Sequence, residues 1–296
     1  MTATVASDLL EETAPAKINL TLRVLGKRAD GYHELESLVT FTSLGDRLTL
    51  RPGPALDLAV SGPTAAQAGP LGDNLVLKAA RLLAERVPGL ALGAFDLVKR
   101  LPAGGGLGGG SSDAAAALRL LARLNGLPLD DPRLAEAALK TGADVPVCLA
   151  GRPRIMRGVG ERLAPPVALP PLFALLVGPG FPLATRDVFT ALGLAPGDRR
   201  GEATADDAVP ADPDGFWEYL AESRNDLEPP AIGLAPAVGD LLATLRRQRG
   251  CRLARMSGSG STCFALFDEP RAAADAALTL GSRHPGWWVQ ATALAR

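Results

Sequence analysis

Apolar and polar residues alternate strictly over residues 16–25, near the start of the chain. One face carries Ile18, Leu20, Leu22 and Val24, and the other carries Lys17, Asn19, Thr21 and Arg23. A period of two predicts a half-buried β-strand. The turn signal Asp30-Gly31 separates this strand from a second apolar stretch over 35–50, so we expect a β-hairpin around Asp30.

The rest of the chain alternates helical and extended patterns bounded by capping and turn residues. In the first half they predict a helix over 75–87 capped by Asn74, a strand over 94–101, a helix over 113–124 capped by Ser111 or Ser112, and a helix over 132–140. In the second half they predict a strand over 172–177, a short helix capped by Thr185, a mobile surface loop over 194–214, helices over 214–224, 237–248 and 271–280, and strands over 251–256, 262–267 and 287–292. This alternation predicts an α+β protein. The proline-rich stretch 152–171 divides it into two domains, 1–163 and 164–296.

Composition excludes several classes of protein. The 296 residues are 47% hydrophobic and 21% charged, as in an ordinary globular chain. A net charge of −1 argues against a surface for nucleic acid. No run approaches the ~20 apolar residues of a membrane helix, and residues 1–12 lack the pattern of a signal peptide.

Cysteine and histidine are too few and too scattered for a metal centre. Cys148, Cys251 and Cys263 are far apart and odd in number, which favours reduced thiols in a cytoplasmic protein. Only two histidines occur, His33 and His284, so a histidine-rich metal site is nearly excluded.

The candidate chemistry lies in a glycine-rich loop. Residues 104–110 contain six glycines in seven positions, followed by Ser111-Ser112-Asp113 and an alanine run. Glycine lets backbone N–H groups approach a ligand, and a helix start adds unpaired N–H groups with positive partial charge. The sequence therefore predicts a cradle for phosphate; the alternative is a flexible linker.

Two phosphate-binding motifs fit this loop poorly. A P-loop needs a lysine after its glycines, and none follows here. A dinucleotide motif is formally present at Gly104, Gly106 and Gly109, with Asp130 near the expected offset. Because Asp130 stands at the start of a predicted helix rather than at the end of a strand, an NAD-dependent oxidoreductase is the weaker alternative.

Three segments together resemble the GHMP kinases, named for galactokinase, homoserine kinase, mevalonate kinase and phosphomevalonate kinase. They are Pro15–Leu20, Leu101–Ser112 and Met256–Thr262. The resemblance implies a two-domain fold, with an N-terminal ribosomal-protein-like α/β domain and a C-terminal ferredoxin-like α+β domain. ATP and substrate would meet in the cleft between the domains.

A second group of segments is similar to one branch of this family, whose substrate carries a cytidine diphosphate group. These segments are Arg28–Leu35, Gly142–Val147, Gly158–Glu161 and Asn225–Glu228. The resemblance implies ATP-dependent phosphorylation of a hydroxyl group in non-mevalonate isoprenoid synthesis. Other GHMP kinases, of the homoserine or mevalonate type, and an inactive nucleotide-binding regulator remain alternatives. The protein is expected to be a monomer or a weak homodimer.

The resemblance also implies roles for individual residues. Asp144 would be the catalytic base and Lys17 its electrostatic partner. ATP would be bound by Asn74, Lys99, Pro102, Ala103, Gly104, Gly105, Gly106, Leu107, Gly108, Gly109, Gly110, Ser111 and Ser112. Substrate would be bound by Asn19, Tyr32, His33, Asp144 and Thr185. Mg²⁺ is expected, with no ligands assigned.

Simpler interpretations stand beside several of these roles. Asp144 is otherwise a turn aspartate, and Lys17 a solvated strand lysine. Asn74 and Thr185 are otherwise helix caps, and Lys99 a solvated strand residue. The Ser257–Thr262 loop is expected to pack against the glycine loop without a catalytic role.

Overall fold

The computed structural model describes residues 9–206 and 209–294, which form eleven strands and nine α-helices. Residues 1–8, part of the segment predicted to lack a signal peptide, lie outside the described residues, as do residues 207 and 208 of the predicted surface loop. In the described ranges no helix has both the length and the hydropathy to cross a membrane.

The strands are β1 (Leu10–Asn19), β2 (Arg23–Lys27), β3 (His33–Gly53), β4 (Asp57–Ser61), β5 (Leu92–Val98), β6 (Arg154–Gly158), β7 (Arg162–Pro166), β8 (Phe173–Gly178), β9 (Leu253–Met256), β10 (Cys263–Phe267) and β11 (Trp288–Ala293). The helices are α1 (Leu75–Ala84), α2 (Gly109–Leu124), α3 (Pro132–Thr141), α4 (Val145–Ala150), α5 (Thr185–Thr190), α6 (Pro213–Glu222), α7 (Glu228–Leu234), α8 (Ala237–Arg246) and α9 (Pro270–Arg283).

Two compact units divide the chain, and each is built from separate stretches of sequence. The first unit comprises the chain up to Ala16 with Gly45–Ala103 and Gly109–Ala150. The second comprises Lys17–Leu44, Gly104–Gly108 and Gly151–Arg296. The units follow spatial contacts rather than chain order, so the division into domains 1–163 and 164–296 stays a prediction.

In the first unit, β5 pairs in parallel with β4 and antiparallel with the second half of β3. Helix α2 packs against α1, α3 and α4. Its buried residues include the alanine run Ala114–Ala117, whose small side chains allow close packing. The predicted cap of α1 is confirmed, because the Asn74 side chain accepts a hydrogen bond from the N–H of Val76 at 2.9 Å.

Helix α2 begins four residues earlier than predicted. It starts at Gly109, so Ser111 and Ser112 lie in its first turn and do not cap it. The prediction was wrong because a capping serine was assumed to mark the helix start, whereas the last two glycines of the loop already take helical backbone.

In the second unit, the first half of β3 pairs antiparallel with β2 and β6, and β6 pairs with β7. The β2–β3 pair is the predicted hairpin. A second, fully antiparallel sheet has the order β11-β8-β10-β9. Helices α8 and α9 pack against this sheet over a core that includes Val177, Leu242 and Phe267.

The strand predicted over 16–25 is buried on both faces. It is divided into β1 and β2 by an irregular stretch over 20–22, and Lys17, Asn19 and Thr21 are all less than 5% exposed. The alternation correctly predicts an extended chain. It wrongly predicts a solvent-exposed polar face, because the polar side chains on that face are buried and hydrogen-bonded to other polar groups.

Residues 194–206 of the predicted surface loop are hydrogen-bonded to β2 and β3. The N–H of Lys27 donates to the Asp198 carbonyl at 2.9 Å, and the N–H of Gly197 donates to the Lys27 carbonyl at 2.8 Å. The N–H of Arg200 donates to the Leu25 carbonyl at 2.8 Å. The buried carboxylate of Glu36 accepts from the N–H of Thr204 at 2.7 Å. Gly197 and Asp198 therefore lie in a turn of a segment that is docked on β2.

Replacing Gly26 by alanine should release this segment. A Cβ at position 26 would overlap the carbonyl oxygen of Asp198. We expect faster tryptic cleavage after Arg199 or Arg200 in Gly26→Ala, measured by mass spectrometry of limited digests. Gly201→Ala is the matched control, because its Cβ would meet only the side chains of Arg23 and Leu25, at 3.5 and 3.9 Å. Equal cleavage of the two variants would contradict the docking.

Candidate active site

The amides of the glycine loop have no described protein acceptor, whereas three of its carbonyls are bound. The carbonyl of Gly105 accepts from Thr262 N–H at 3.1 Å, that of Gly106 from the Ser257 hydroxyl at 3.0 Å, and that of Leu107 from Lys17 N–H at 2.8 Å. Among the described residues, none accepts a hydrogen bond from the N–H groups of residues 104–108. A run of unpaired amides attracts an anion.

Glycine is required where this loop meets its neighbours. Gly106 has φ +76°, in the left-handed region, and a Cβ there would overlap the Ser257 carbonyl oxygen. Gly108 has φ +61°, and its Cβ would lie 3.2 Å from the Lys17 side chain. Other residues would strain the backbone and push these contacts apart.

Lys17 and Asn19 form a buried polar row along β1. The ammonium of Lys17 donates to Asn19 Oδ1 at 3.2 Å, and Asn19 Nδ2 donates to the Ser37 hydroxyl at 2.8 Å. The Asn19 backbone N–H donates to the Ser257 hydroxyl at 3.2 Å. Because Lys17 is only 3% exposed, the alternative of a solvated strand lysine is wrong.

The Ser257–Thr262 loop packs against the glycine loop, as predicted, through Ser257 and Thr262. Asn225, to which sequence reasoning assigned no role, holds it from the other side. Its amide donates to the carbonyls of Met256 and Gly258, both at 2.8 Å. Asn225 stands in one of the resembling segments, so its motif was visible in the sequence although its contacts were not.

The hairpin residues Tyr32 and His33 differ in their surroundings. Tyr32 is 62% exposed at the turn, whereas the imidazole of His33 lies 4.6 Å from the ring of Phe189. Burial and, next, the charge of Lys27 lower the pKa of His33, so the imidazole is neutral near pH 7. Its buried Nε2 has no hydrogen-bond partner among the described residues.

Thr185 and Phe189 lie one turn apart on α5. Thr185 is the first residue of the helix, preceded by Ala184 at the cap position, so the prediction that it caps the helix is wrong. Its hydroxyl lies 2.9 Å from the Ser259 hydroxyl. Phe189 was missed because a lone aromatic in a short helix gives no functional signal in the sequence.

Asp144 and Ser112 belong to the first unit. Asp144 immediately precedes α4, and its carbonyl accepts from the N–H of Cys148 at 3.2 Å. Ser112 donates to the Pro15 carbonyl at 2.6 Å and lies 3.4 Å from the Cys148 sulfur. The Ser112 hydroxyl therefore ties the first turn of α2 to β1 and α4, while the hydroxyl of the half-buried Ser111 has no hydrogen-bond partner among the described residues.

Lys99 is buried rather than solvated. Its ammonium contacts Asp46 and lies 2.7 Å from Asp113 Oδ2. Burial lowers the pKa of Lys99, but the carboxylates of Asp113 and Asp46 outweigh it and raise the pKa above its ordinary value. Both described partners of the Lys99 ammonium are carboxylates, and the contact of Lys99 with nucleotide stays a prediction.

The remaining residues predicted to bind ATP lie at the two ends of the loop. Pro102 is half-buried, and the N–H of the exposed Ala103 donates to Gln67 Oε1 at 3.0 Å. Gly109 and Gly110 form the first turn of α2. The described ranges contain no cluster of three or more metal-ligating side chains. None of the three cysteines forms a disulfide there, and Cys251 is only half-buried.

The dinucleotide alternative is wrong. Asp130 is exposed in the turn that joins α2 to α3, and no strand follows α2 to bring its carboxylate to a nucleotide ribose.

Two family models match the chain. The GHMP kinases N terminal domain matches residues 74–152, and the GHMP kinases C terminal model matches residues 211–285. The chain belongs to the GHMP kinase family. GHMP kinases are small-molecule kinases that use ATP.

Relatives and solved structures are similar over nearly the whole chain. A protein called 4-diphosphocytidyl-2-C-methyl-D-erythritol kinase from Methylobacterium radiotolerans is 60% identical over 97% of this chain and 99% of its own length. A protein of the same name from Rhodopseudomonas palustris is 57% identical over 96% of this chain and 97% of its own length. A crystal structure of 4-(cytidine 5'-diphospho)-2C-methyl-D-erythritol kinase has a TM-score of 0.74 at 38% identity, covering 97% of this chain and 100% of its own. A crystal structure of homoserine kinase from Cytophaga hutchinsonii has a TM-score of 0.68 at 19% identity, covering 99% of this chain and 96% of its own. It shares the fold.

Gly106→Ala should weaken ATP binding. The left-handed backbone alone costs roughly 1–2 kcal/mol for a residue with a Cβ, and the overlap with Ser257 adds to it. We expect the dissociation constant for ATP, measured by calorimetry, to rise at least about tenfold. Gly89→Ala is the matched control, since φ is +77° there but a Cβ meets nothing within 4 Å. Unchanged binding by Gly106→Ala would remove the loop from the ATP site.

Proposed function

We propose that this chain transfers the γ-phosphoryl group of ATP to the 2-hydroxyl of 4-diphosphocytidyl-2-C-methyl-D-erythritol. The observation that carries the proposal is the glycine loop, in which three carbonyls are bound by protein and the amides have no described acceptor. The choice of substrate is supported by the relatives of that name, which extend over the whole chain at 55–60% identity.

The loop and α2 would hold the ATP phosphates. The amides of residues 104–108 supply donors, and the start of α2 adds the unpaired N–H groups and partial positive charge of a helix N-terminus. Phosphoryl transfer needs positioning and charge neutralisation more than covalent chemistry. The backbone of this loop supplies both.

Mg²⁺ is bound in such sites by one or two protein oxygens together with phosphate oxygens. The hydroxyl of Ser111, in the first turn of α2 and without a hydrogen-bond partner among the described residues, fits such a role. Bound Mg²⁺ would neutralise phosphate charge.

Asp144 would take the proton from the attacking hydroxyl, whose oxygen bonds to the γ-phosphorus as the bond to the β-phosphate oxygen breaks. The ammonium of Lys17 would favour the ionised form of this base and stabilise negative charge in the transition state. Asn19 orients that ammonium and is suited to contact the substrate hydroxyl.

The aromatic hairpin would bind the cytosine. Tyr32 offers an exposed ring for stacking, and neutral His33 offers its free Nε2 for a hydrogen bond to the base. Phe189, beside His33, adds a second ring to this surface. We place Thr185 on the substrate side as well, at the start of the same helix.

Asp144→Asn should abolish turnover without loss of ATP binding. Loss of a general base lowers kcat by about 10²–10⁴-fold, measured by coupled ADP release with the cytidyl substrate. Asp130→Asn, at an exposed turn of the same unit, is the control and should retain full activity. Near-normal turnover by Asp144→Asn would remove this carboxylate from the mechanism.

Tyr32→Ala should raise the KM for the cytidyl substrate about tenfold, since stacking of a base on an aromatic ring contributes roughly 1–3 kcal/mol. The KM for ATP should stay within twofold of wild type, and Tyr32→Phe should behave like wild type because it keeps the ring. An equal rise in both KM values would contradict the assignment of the hairpin to the cytidine.

A further inference from the structure

A buried cluster of three charged side chains lies beneath the start of α2. Asp46 comes from β3, Lys99 from the end of β5, and Asp113 from the second turn of α2. Their side chains are 0%, 5% and 4% exposed. Lys99 touches both carboxylates, so it links the strand before the glycine loop to the helix after it.

Asp46 fixes the start of the loop. While one of its oxygens contacts Lys99, the other accepts the N–H groups of Arg100 and Leu101, at 2.5 and 2.9 Å. These are the last two residues before Pro102. The Thr64 hydroxyl donates to the Leu101 carbonyl at 2.9 Å, which fixes the next peptide, between Leu101 and Pro102.

Asp113 fixes the end of the loop. It lies four residues after Gly109, one helical turn along α2. A Cβ built on Gly109 would lie 3.6 Å from Lys99 Nζ and 3.8 Å from Asp46 Oδ2. The first residue of the helix therefore packs directly over the cluster, and a larger residue there would disturb it.

Stability alone does not explain this arrangement. Two carboxylates and one ammonium leave the buried cluster short of a positive charge, and Asp113 Oδ1 is buried without a hydrogen-bond partner among the described residues. Burial raises the pKa of Asp113, the positive charge of Lys99 lowers it, and the negative charge of Asp46 raises it again. The net result is a raised pKa. Well-packed hydrophobic residues often replace buried ion pairs without loss of stability.

We propose that Asp46, Lys99 and Asp113 are positioning residues that set the separation between the two ends of the glycine loop and so aim its amides at the phosphates of ATP. The three side chains are buried and paired with one another. The inference rests on the proposed function in one respect only, namely that the ligand of the glycine loop is ATP.

The test compares three variants of the full-length chain. Asp113→Ala removes the link to α2 and leaves the Lys99–Asp46 pair intact. Asp113→Asn keeps an oxygen that accepts from Lys99 and is the conservative rescue. Leu121→Ala opens a cavity in the same helix, at a fully buried position away from the cluster, and controls for general destabilisation.

We expect Asp113→Ala to raise both the KM and the calorimetric Kd for ATP about tenfold, the loss expected for one charge-assisted hydrogen bond. The KM for the cytidyl substrate should stay within about twofold of wild type. Asp113→Asn should remain within about threefold of wild type for ATP, and Leu121→Ala should lower the melting temperature without changing ATP affinity. If Asp113→Ala does not fold, Asp113→Ser replaces it with the same expectation.

The inference is overturned if the Asp113 variant binds ATP like wild type, or if Leu121→Ala weakens ATP binding equally. A wild-type protein that binds ATP but does not phosphorylate the cytidyl substrate would refute the proposed function. The ATP affinities of the variants would then still decide the role of the cluster. A wild-type protein that does not bind ATP would overturn both.

Discussion

The peptide planes of residues 105–108 are oriented by hydrogen bonds to their carbonyl groups. A trans peptide is planar, so its C=O and the next N–H point in opposite directions. When protein donors hold the carbonyls of Gly105, Gly106 and Leu107, the N–H groups of residues 106–108 must point away from those donors. The unpaired amides of the loop are therefore a consequence of how its other side is bound.

This constraint explains why β1 buries polar side chains. The backbone N–H of Lys17 and the Ser257 hydroxyl donate to the loop, so β1 and the loop after β9 must both lie against it. Asn19 then has no access to water and bonds instead to Lys17, Ser37 and the Ser257 hydroxyl. A buried ammonium is tolerated where polar partners replace its hydration.

Local signals in the sequence predicted most of the secondary structure. Asn74 as a cap, the hairpin at Asp30 and the strands on either side of the Ser257–Thr262 loop follow from short-range preferences, and all are present. Strands β6 and β7 were missed because the prolines of 152–171 mask a period of two, and α4 was missed because six residues carry no helical period.

Long-range contacts account for what could not be predicted. Lys17, Lys99 and Asp113 are charged residues at positions that pattern alone assigns to solvent or to a helix face, and each is buried by partners far away in sequence. Asp46 lies 53 residues from Lys99, and no periodicity in either segment indicates the pairing. Phe189 likewise becomes part of an aromatic surface only because α5 brings it beside His33.

Two glycine-rich segments approach each other closely enough that each depends on the small size of the other. A Cβ on Gly106 would overlap Ser257, and a Cβ on Gly258 would lie 3.1 Å from the Gly106 carbonyl oxygen. Glycine loses more backbone entropy on ordering than any other residue, so such a contact forms only where fixed hydrogen bonds offset that loss. Thr262 and Ser257 supply bonds from the second segment to the first, and Asn225 bonds to the second segment. The flexibility of the glycines therefore serves close backbone approach, and the ordered loop that results presents a preorganised set of amides rather than one that must be ordered by its ligand.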